Sequence, residues 1–155
     1  MSLFFFRSAS EFSISEIADL LTRGFEGYFI PIFIDETTLL TMMRRDGIDL
    51  TESRLLFKDG EPIGVALIAR RGWTSRLAAM GIVSSARNSG AGTWAMQHLI
   101  EEARMRGDRQ MLLEVIEQNT AGVKLYQKVG FKIVRRLLGY SLENPPVDSK
   151  DELQE

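Results

Sequence analysis

The run Ile82-Val83-Ser84-Ser85-Ala86-Arg87-Asn88-Ser89-Gly90-Ala91-Gly92 passes from strand-forming residues, through an Arg-x-x-Gly-x-Gly turn, into an amphipathic helix expected to begin near Thr93. Glycines lack a Cβ, so consecutive backbone N–H groups converge on one point, and the N-terminus of the following helix adds roughly half a positive charge there. The chemistry of such a turn is anion binding, and a pyrophosphate fits it. A second run, Asn119-Thr120-Ala121-Gly122-Val123-Lys124-Leu125-Tyr126-Gln127-Lys128-Val129-Gly130-Phe131, places Asn119 and Tyr126 two turns apart on one helix face. The glycine turn alone is a weak signal; the two runs together are a strong one. A dinucleotide fingerprint would need a third glycine near Ala95 and an acidic ribose ligand further on. A nucleotide-hydrolysing loop would need Gly-Lys-Ser/Thr, and neither pattern is present.

Several elements must position these runs. Leu3 to Arg7 reads as a short strand. Ser13 and Glu16 have the spacing of a capping box that opens a helix running to about Gly24, with Ile17, Leu20 and Leu21 on its inner face. Asp35-Glu36 starts a second helix through Met43, closed by Asp46-Gly47. Between the two helices lies the aromatic loop Phe25 to Pro31, which reads either as a wall of an acceptor pocket or, with better odds, as core plugging. Asp59-Gly60 joins two antiparallel strands, Ser53 to Lys58 and Glu61 to Arg71. A turn over Trp73 to Arg76 precedes the strand Leu77 to Val83. Thr93 to Arg106 is a helix stopped by Gly107, and Met111 to Ile116 a strand buried on both faces, so a strand, helical crossover and parallel strand follow one another. A helix over Thr120 to Val129 and a last strand or hairpin over Phe131 to Leu142 complete an α/β domain.

The 155 residues suffice for one domain, taken as 1–143. The acidic, proline-marked stretch 144–155 reads as a disordered tail or a linker. With 45% hydrophobic and 26% charged residues the chain has a globular composition. A formal net charge of −2 supplies no drive toward nucleic acid or anionic membranes. There is no cysteine, which removes disulfides, thiolate metal sites and thiol nucleophiles, and the lone His98 cannot build a histidine cluster. No metal is expected. Neither a secretory signal nor a membrane span is visible, and the reading is cytoplasmic. Trp94 and His98 read first as packing residues; Arg70, Arg71 and Arg76 either attract a phosphate or an acidic acceptor or, with better odds, form a solvated strand face, and Arg104, Arg106 and Arg109 read as solvated groups. Lys124 and Lys128 either reach cofactor phosphates or, with better odds, are solvated.

The order of elements and both motifs resemble the GNAT superfamily of acyl-coenzyme-A-dependent N-acetyltransferases, over roughly Leu3 to Leu142 and most specifically from Ile82 to Phe131. The resemblance implies a mixed sheet with a splayed pair of parallel strands, flanked by helices. It implies that Arg87, Asn88, Ser89, Gly90, Ala91, Gly92 and Thr93 bind the pyrophosphate of acetyl-CoA, mostly through main chain. The pantetheine arm would lie between the splayed strands, with a backbone N–H near Ile82 or Val83 stabilising the developing oxyanion. Asn119 would address the cofactor arm and Tyr126 the sulfur. A tyrosine of pKa about 10 is protonated at neutral pH, and so can donate to the departing thiolate as general acid. Leu112-Leu113-Glu114-Val115 resembles the branch that acetylates the amino terminus of a ribosomal protein, which makes Glu114 the candidate base, with Glu117 a weaker substitute. A carboxylate inside an apolar strand should be desolvated toward a useful pKa; an ion-paired, structural Glu114 is an equal alternative. Two departures stand out: Ser84, Ser85 and Ala86 fill a loop where the family usually has proline, and Gly122 replaces an alanine at a helix cost of about 1 kcal/mol.

The resulting expectation is direct acetyl transfer from acetyl-CoA to a primary amine of a small molecule or peptide, in a ternary complex. The acceptor pocket would be formed by the first two helices and the last strands. A homodimer is compatible with the family. The alternative is a non-catalytic acyl-CoA-binding module, part of a longer two-domain protein.

Overall fold

The computed structural model describes residues 3–136. In chain order these form β1 (Phe4–Ser8), α1 (Ile14–Gly24), α2 (Glu36–Asp46), β2 (Arg54–Lys58), β3 (Glu61–Arg71), β4 (Thr74–Ile82), α3 (Ala91–Arg106), β5 (Gln110–Leu113) and α4 (Thr120–Lys128). The strands make one five-stranded sheet in the order β1-β2-β3-β4-β5. Neighbours are antiparallel up to β4, and β4 pairs with β5 in parallel. This is the mixed α/β sheet expected from the sequence.

Side chains alternate across a strand, and β3 uses both of its faces. Val65 and Leu67 join a cluster with Ile17, Leu20, Leu21 and Leu39 of α1 and α2, whereas Ala66 and Ile68 join Met96 and Leu99 of α3 on the other face. The sheet is therefore covered by α1 and α2 on one side and by α3 and α4 on the other. Helix ends follow local rules. Ser13 and Glu16 close a reciprocal capping box on α1, Asp35 accepts from Thr38 N–H at the start of α2, and Gly47 and Gly107 end α2 and α3 in the left-handed region.

Several boundaries differ from expectation. The turn before β4 is Gly72-Trp73, so Thr74 to Arg76 belong to the strand, because Ser75 and Arg76 pair with both Arg70/Ala69 and Met111/Leu112. β5 is an edge strand that stops at Leu113. Its residues alternate exposed and half-buried instead of being buried on both faces, since only β4 flanks it among the described residues. No strand forms over 131–136, and the remainder of the anticipated last strand, like the tail, lies outside the described residues.

Candidate active site

The end of α1 and the end of β4 meet backbone to backbone. A Cβ built on Gly24 would sit 2.7 Å from the carbonyl carbon of Gly81, and one on Gly81 would sit 3.1 Å from Gly24 Cα. Arg87 closes this junction from the turn. Its Nε donates to Ile82 O at 2.9 Å and its Nη2 to Gly24 O at 2.9 Å, while its own N–H donates to Ser84 O. The side chain thus tethers the glycine turn to α1 and to the aromatic loop that follows it. Sequence reading took Gly24 only as a helix stop, and only the pair Gly24/Gly81 reveals its purpose.

Beyond Arg87 the main chain turns sharply. Asn88 has φ 60° and Gly90 φ 86°, so left-handed residues frame Ser89, whose hydroxyl is spent on Ala86 O. Gly90 opens α3 without any side-chain cap, and the first N–H of the helix to be satisfied is that of Trp94, which donates to Gly90 O. Among the described residues none of the N–H groups from Asn88 to Thr93 donates to a protein acceptor. A run of converging, unpaired amides at the N-terminus of a long helix is a site for a multiply charged anion. Gly92 holds α4 close to it: a Cβ there would meet Leu125 Cδ2 at 3.2 Å.

The strand leading into the turn has an open edge. β4 pairs with β5 only from Thr74 to Leu77; beyond the irregularity at Ala78, Ala79 to Ile82 keep their ladder with β3 and, among the described residues, face no strand on the β5 side. Val83 N–H donates to Ile63 O at 2.8 Å, so it is committed to the sheet and does not face the gap. By the alternation of an antiparallel ladder, Ile82 and Met80 point their N–H groups the other way, into the space between β4 and β5. Of the two backbone donors anticipated for an oxyanion, the geometry favours Ile82. Likewise Arg87 spends both its amide and most of its guanidinium within the protein, and the free donors begin at Asn88.

Tyr126 sits half-buried on α4, edge-on to Phe131 at 6.1 Å. Burial pushes its phenol above the usual range, and Tyr28 of the aromatic loop pushes in the same direction, so the loop reaches the neighbourhood of Tyr126. Phe25, Tyr28 and Phe29 form a chain of edge-to-face rings at 5.4 and 5.2 Å, with Phe29 58% exposed. Asn119 caps α4, its side-chain oxygen accepting from Gly122 N–H at 3.0 Å. Glu114 follows the last residue of β5 and is exposed, so the burial expected to desolvate it is absent. Glu117 pairs with Arg136. Trp94 packs against Phe4 and Phe6 and stacks on His98 at 3.9 Å, on the α3 face of the sheet. Arg70 and Arg106 are not solvated groups: both bind Asp108, whose side chain is 1% exposed.

A turn of free amides, a half-open parallel strand pair and a half-buried phenol suit a diphosphate-bearing thioester. The Acetyltransferase (GNAT) family profile matches residues 14–131. The chain belongs to the GNAT acetyltransferase family. Among solved GNAT-like structures, the ribosomal-protein-S18-alanine N-acetyltransferase of Escherichia coli superposes with a TM-score of 0.68 at 20% identity, covering 83% of this chain and 77% of that one. A putative acetyltransferase of Salmonella typhimurium, yncA, solved with its cofactor acetyl-CoA, gives 0.67 at 18% identity over 90% and 87%. An uncharacterized N-acetyltransferase of Bacillus subtilis, YobR, is 44% identical over 45 residues, which span 29% of this chain but 18% of that relative. These structures share the mixed sheet with flanking helices seen in this chain.

Proposed function

We propose that the protein transfers an acetyl group from acetyl-CoA to a primary amine by direct attack within a ternary complex. The observation that carries this reading is the uninterrupted set of unpaired amides from Asn88 to Thr93 beside the free edge of β4. When bound, acetyl-CoA supplies the acetyl group activated as a thioester. Main-chain N–H groups of Asn88, Ser89, Gly90, Ala91, Gly92 and Thr93 hold the diphosphate, and the Ile82 N–H, preset on the strand edge, receives the charge that develops on the carbonyl oxygen. Asn119 keeps an Nδ2 donor for the arm after capping α4. Tyr126, held protonated by burial, hands its proton to the departing sulfur.

An amine is protonated near neutrality and must lose a proton before attack. Glu114, exposed just past the end of β5, is our candidate for this base, working through water. The acceptor would enter from the side of the loop between α1 and α2, whose Tyr28 acts on the Tyr126 phenol.

Calorimetry with acetyl-CoA, followed by a thiol-release assay over a panel of small amines, lysine peptides and peptide amino termini, tests the proposal. Binding with turnover on at least one amine supports it. Binding without turnover on any member points instead to a non-catalytic acyl-CoA-binding module. A covalent acetyl-protein intermediate would contradict direct transfer.

A further inference from the structure

The last carbonyls of a helix have no partners within it. At the end of α1, Phe25 N–H takes those of Leu21 and Thr22 and Glu26 N–H takes that of Arg23, which leaves Gly24 O at the exit into the aromatic loop. Its donor is Arg87 Nη2 at 2.9 Å, 63 positions further along the chain. The glycine turn thus supplies the cap of α1, and a guanidinium there also complements the negative end of the helix dipole. The same side chain holds Ile82 O through Nε at 2.9 Å, and a Cβ built on Gly27 would lie 3.7 Å from Nη1, so the loop runs directly along the guanidinium. Among the described residues no carboxylate pairs with Arg87. One residue past Gly27, Tyr28 N–H donates to Phe25 O at 3.0 Å, and the Tyr28 side chain acts on the Tyr126 phenol.

We propose that Arg87 is a positioning residue that couples filling of the glycine turn to closure of the loop over residues 25–30. This rests on the donor diphosphate binding the amides from Asn88 to Thr93. Those amides converge while Asn88 and Gly90 keep their left-handed conformations, φ 60° and 86°, and Arg87, the residue just before, has its own N–H fixed on Ser84 O. The turn that fits a diphosphate is therefore the turn that aims the guanidinium at Gly24 O. A ligand that selects this arrangement also selects the capped exit of α1. Arg87 touches neither substrate and acts through Gly24. Coupling of this kind is reciprocal, so an amine seated against the closed loop strengthens donor binding by the same factor. The consequence is that the acceptor binds best to protein already loaded with donor.

The test uses ADP, which carries a diphosphate but no pantetheine arm, and so fills the turn without reaching toward Tyr28. Amide hydrogen exchange is followed across the full chain, in native protein and in Arg87→Met, with ADP affinity measured by calorimetry. Phe25, Glu26 and Tyr28 donate hydrogen bonds, so their exchange reports opening of the helix exit and the loop. In native protein saturating ADP should slow exchange over 25–30 about fivefold or more and leave α2 unchanged. In Arg87→Met that response should vanish, while ADP affinity falls by no more than about threefold, as expected for one exposed charge. Thermal melts check folding. Should Arg87→Met not fold, Arg87→Lys takes its place, with the response about halved, because an ammonium lacks the fork that holds two carbonyls. A native loop indifferent to ADP, or a response that survives the substitution, would overturn the inference and leave the donor assignment standing. So would an affinity loss of about tenfold or more, which would make Arg87 a phosphate ligand. Absence of ADP binding to native protein would instead bring down the diphosphate turn, and with it both the donor reading and the inference.

Discussion

Tyr126 carries its phenol on α4 in surroundings that disfavour the phenolate, so the proton it must give is retained through the whole neutral range. An acid whose pKa is raised is active below that pKa and loses activity as pH climbs through it. The acid limb contributed by Tyr126 should therefore lie above about pH 10. Tyr126→Phe should lower kcat about 100-fold with little change in acetyl-CoA affinity and should remove that alkaline limb, which a pH–rate profile set beside binding isotherms will show. Asn119 and Gly122 form a second residue-scale unit. The Asn119 side chain lies over Gly122 so closely that a Cβ would fall 2.6 Å from its Nδ2 and 2.9 Å from its Cγ. By propensity alone Gly122→Ala should gain about 1 kcal/mol. Because it also displaces a cap worth about 1 kcal/mol, urea denaturation should show no net gain, and acetyl-CoA binding should weaken as Asn119 swings away.

At the level of elements, the contact of α1 with β4 decides where the aromatic loop goes. The approach of Gly24 to Gly81 leaves no room for a methyl group, and the obstructing atoms are backbone, which cannot rotate aside. Arg87 then locks the same junction with hydrogen bonds to Ile82 O and Gly24 O. Gly24→Ala should cost about 2–3 kcal/mol in urea denaturation, as overpacking does in a rigid interior, and should shift the Phe25 to Tyr28 segment away from Tyr126. The β4/β5 pair is the other decisive unit. β5 ends at Leu113, so the open edge of β4 starts at Ala78, opposite the end of β5.

Across the whole molecule, α3 spans its 16 residues, about 24 Å, from the glycine turn at one end to a cluster of ion pairs at the other. There Arg70 of β3 and Arg106 of α3 bind Asp108 at 2.7 and 3.0 Å, and Arg106 reaches on to Glu52 at 3.0 Å. Burial alone would raise the Asp108 carboxyl, but hydrogen bonds from Arg70 and Arg106 outweigh it and hold the carboxyl below the usual range. A depressed folded-state pKa gives stability that is present above the unfolded value, about 3.9, and is lost as pH falls through the folded one. Asp108→Asn should destabilise by about 3 kcal/mol near neutrality, because Arg70 loses its carboxylate partner and Arg106 keeps only Glu52. It should also flatten the acid-side fall in melting temperature, read from melts over a pH series.

Wherever the deciding interaction is local in the chain, the sequence was enough. Ser13 with Glu16, Asp59-Gly60, the glycine turn and the run from Asn119 to Tyr126 act within a few residues or along one helix, so their types state the element. The α/β class followed from the order of those elements. Tertiary structure alone decided what depends on partners far along the chain. Gly24 meets Gly81, Val83 gives its amide to Ile63, Glu114 is left in water where β5 ends early, and Arg106 is bound to Asp108. Apolar pattern and turn residues record how a segment folds, whereas which donor stays free or which charge stays hydrated is settled only once distant segments have packed and claimed their hydrogen bonds.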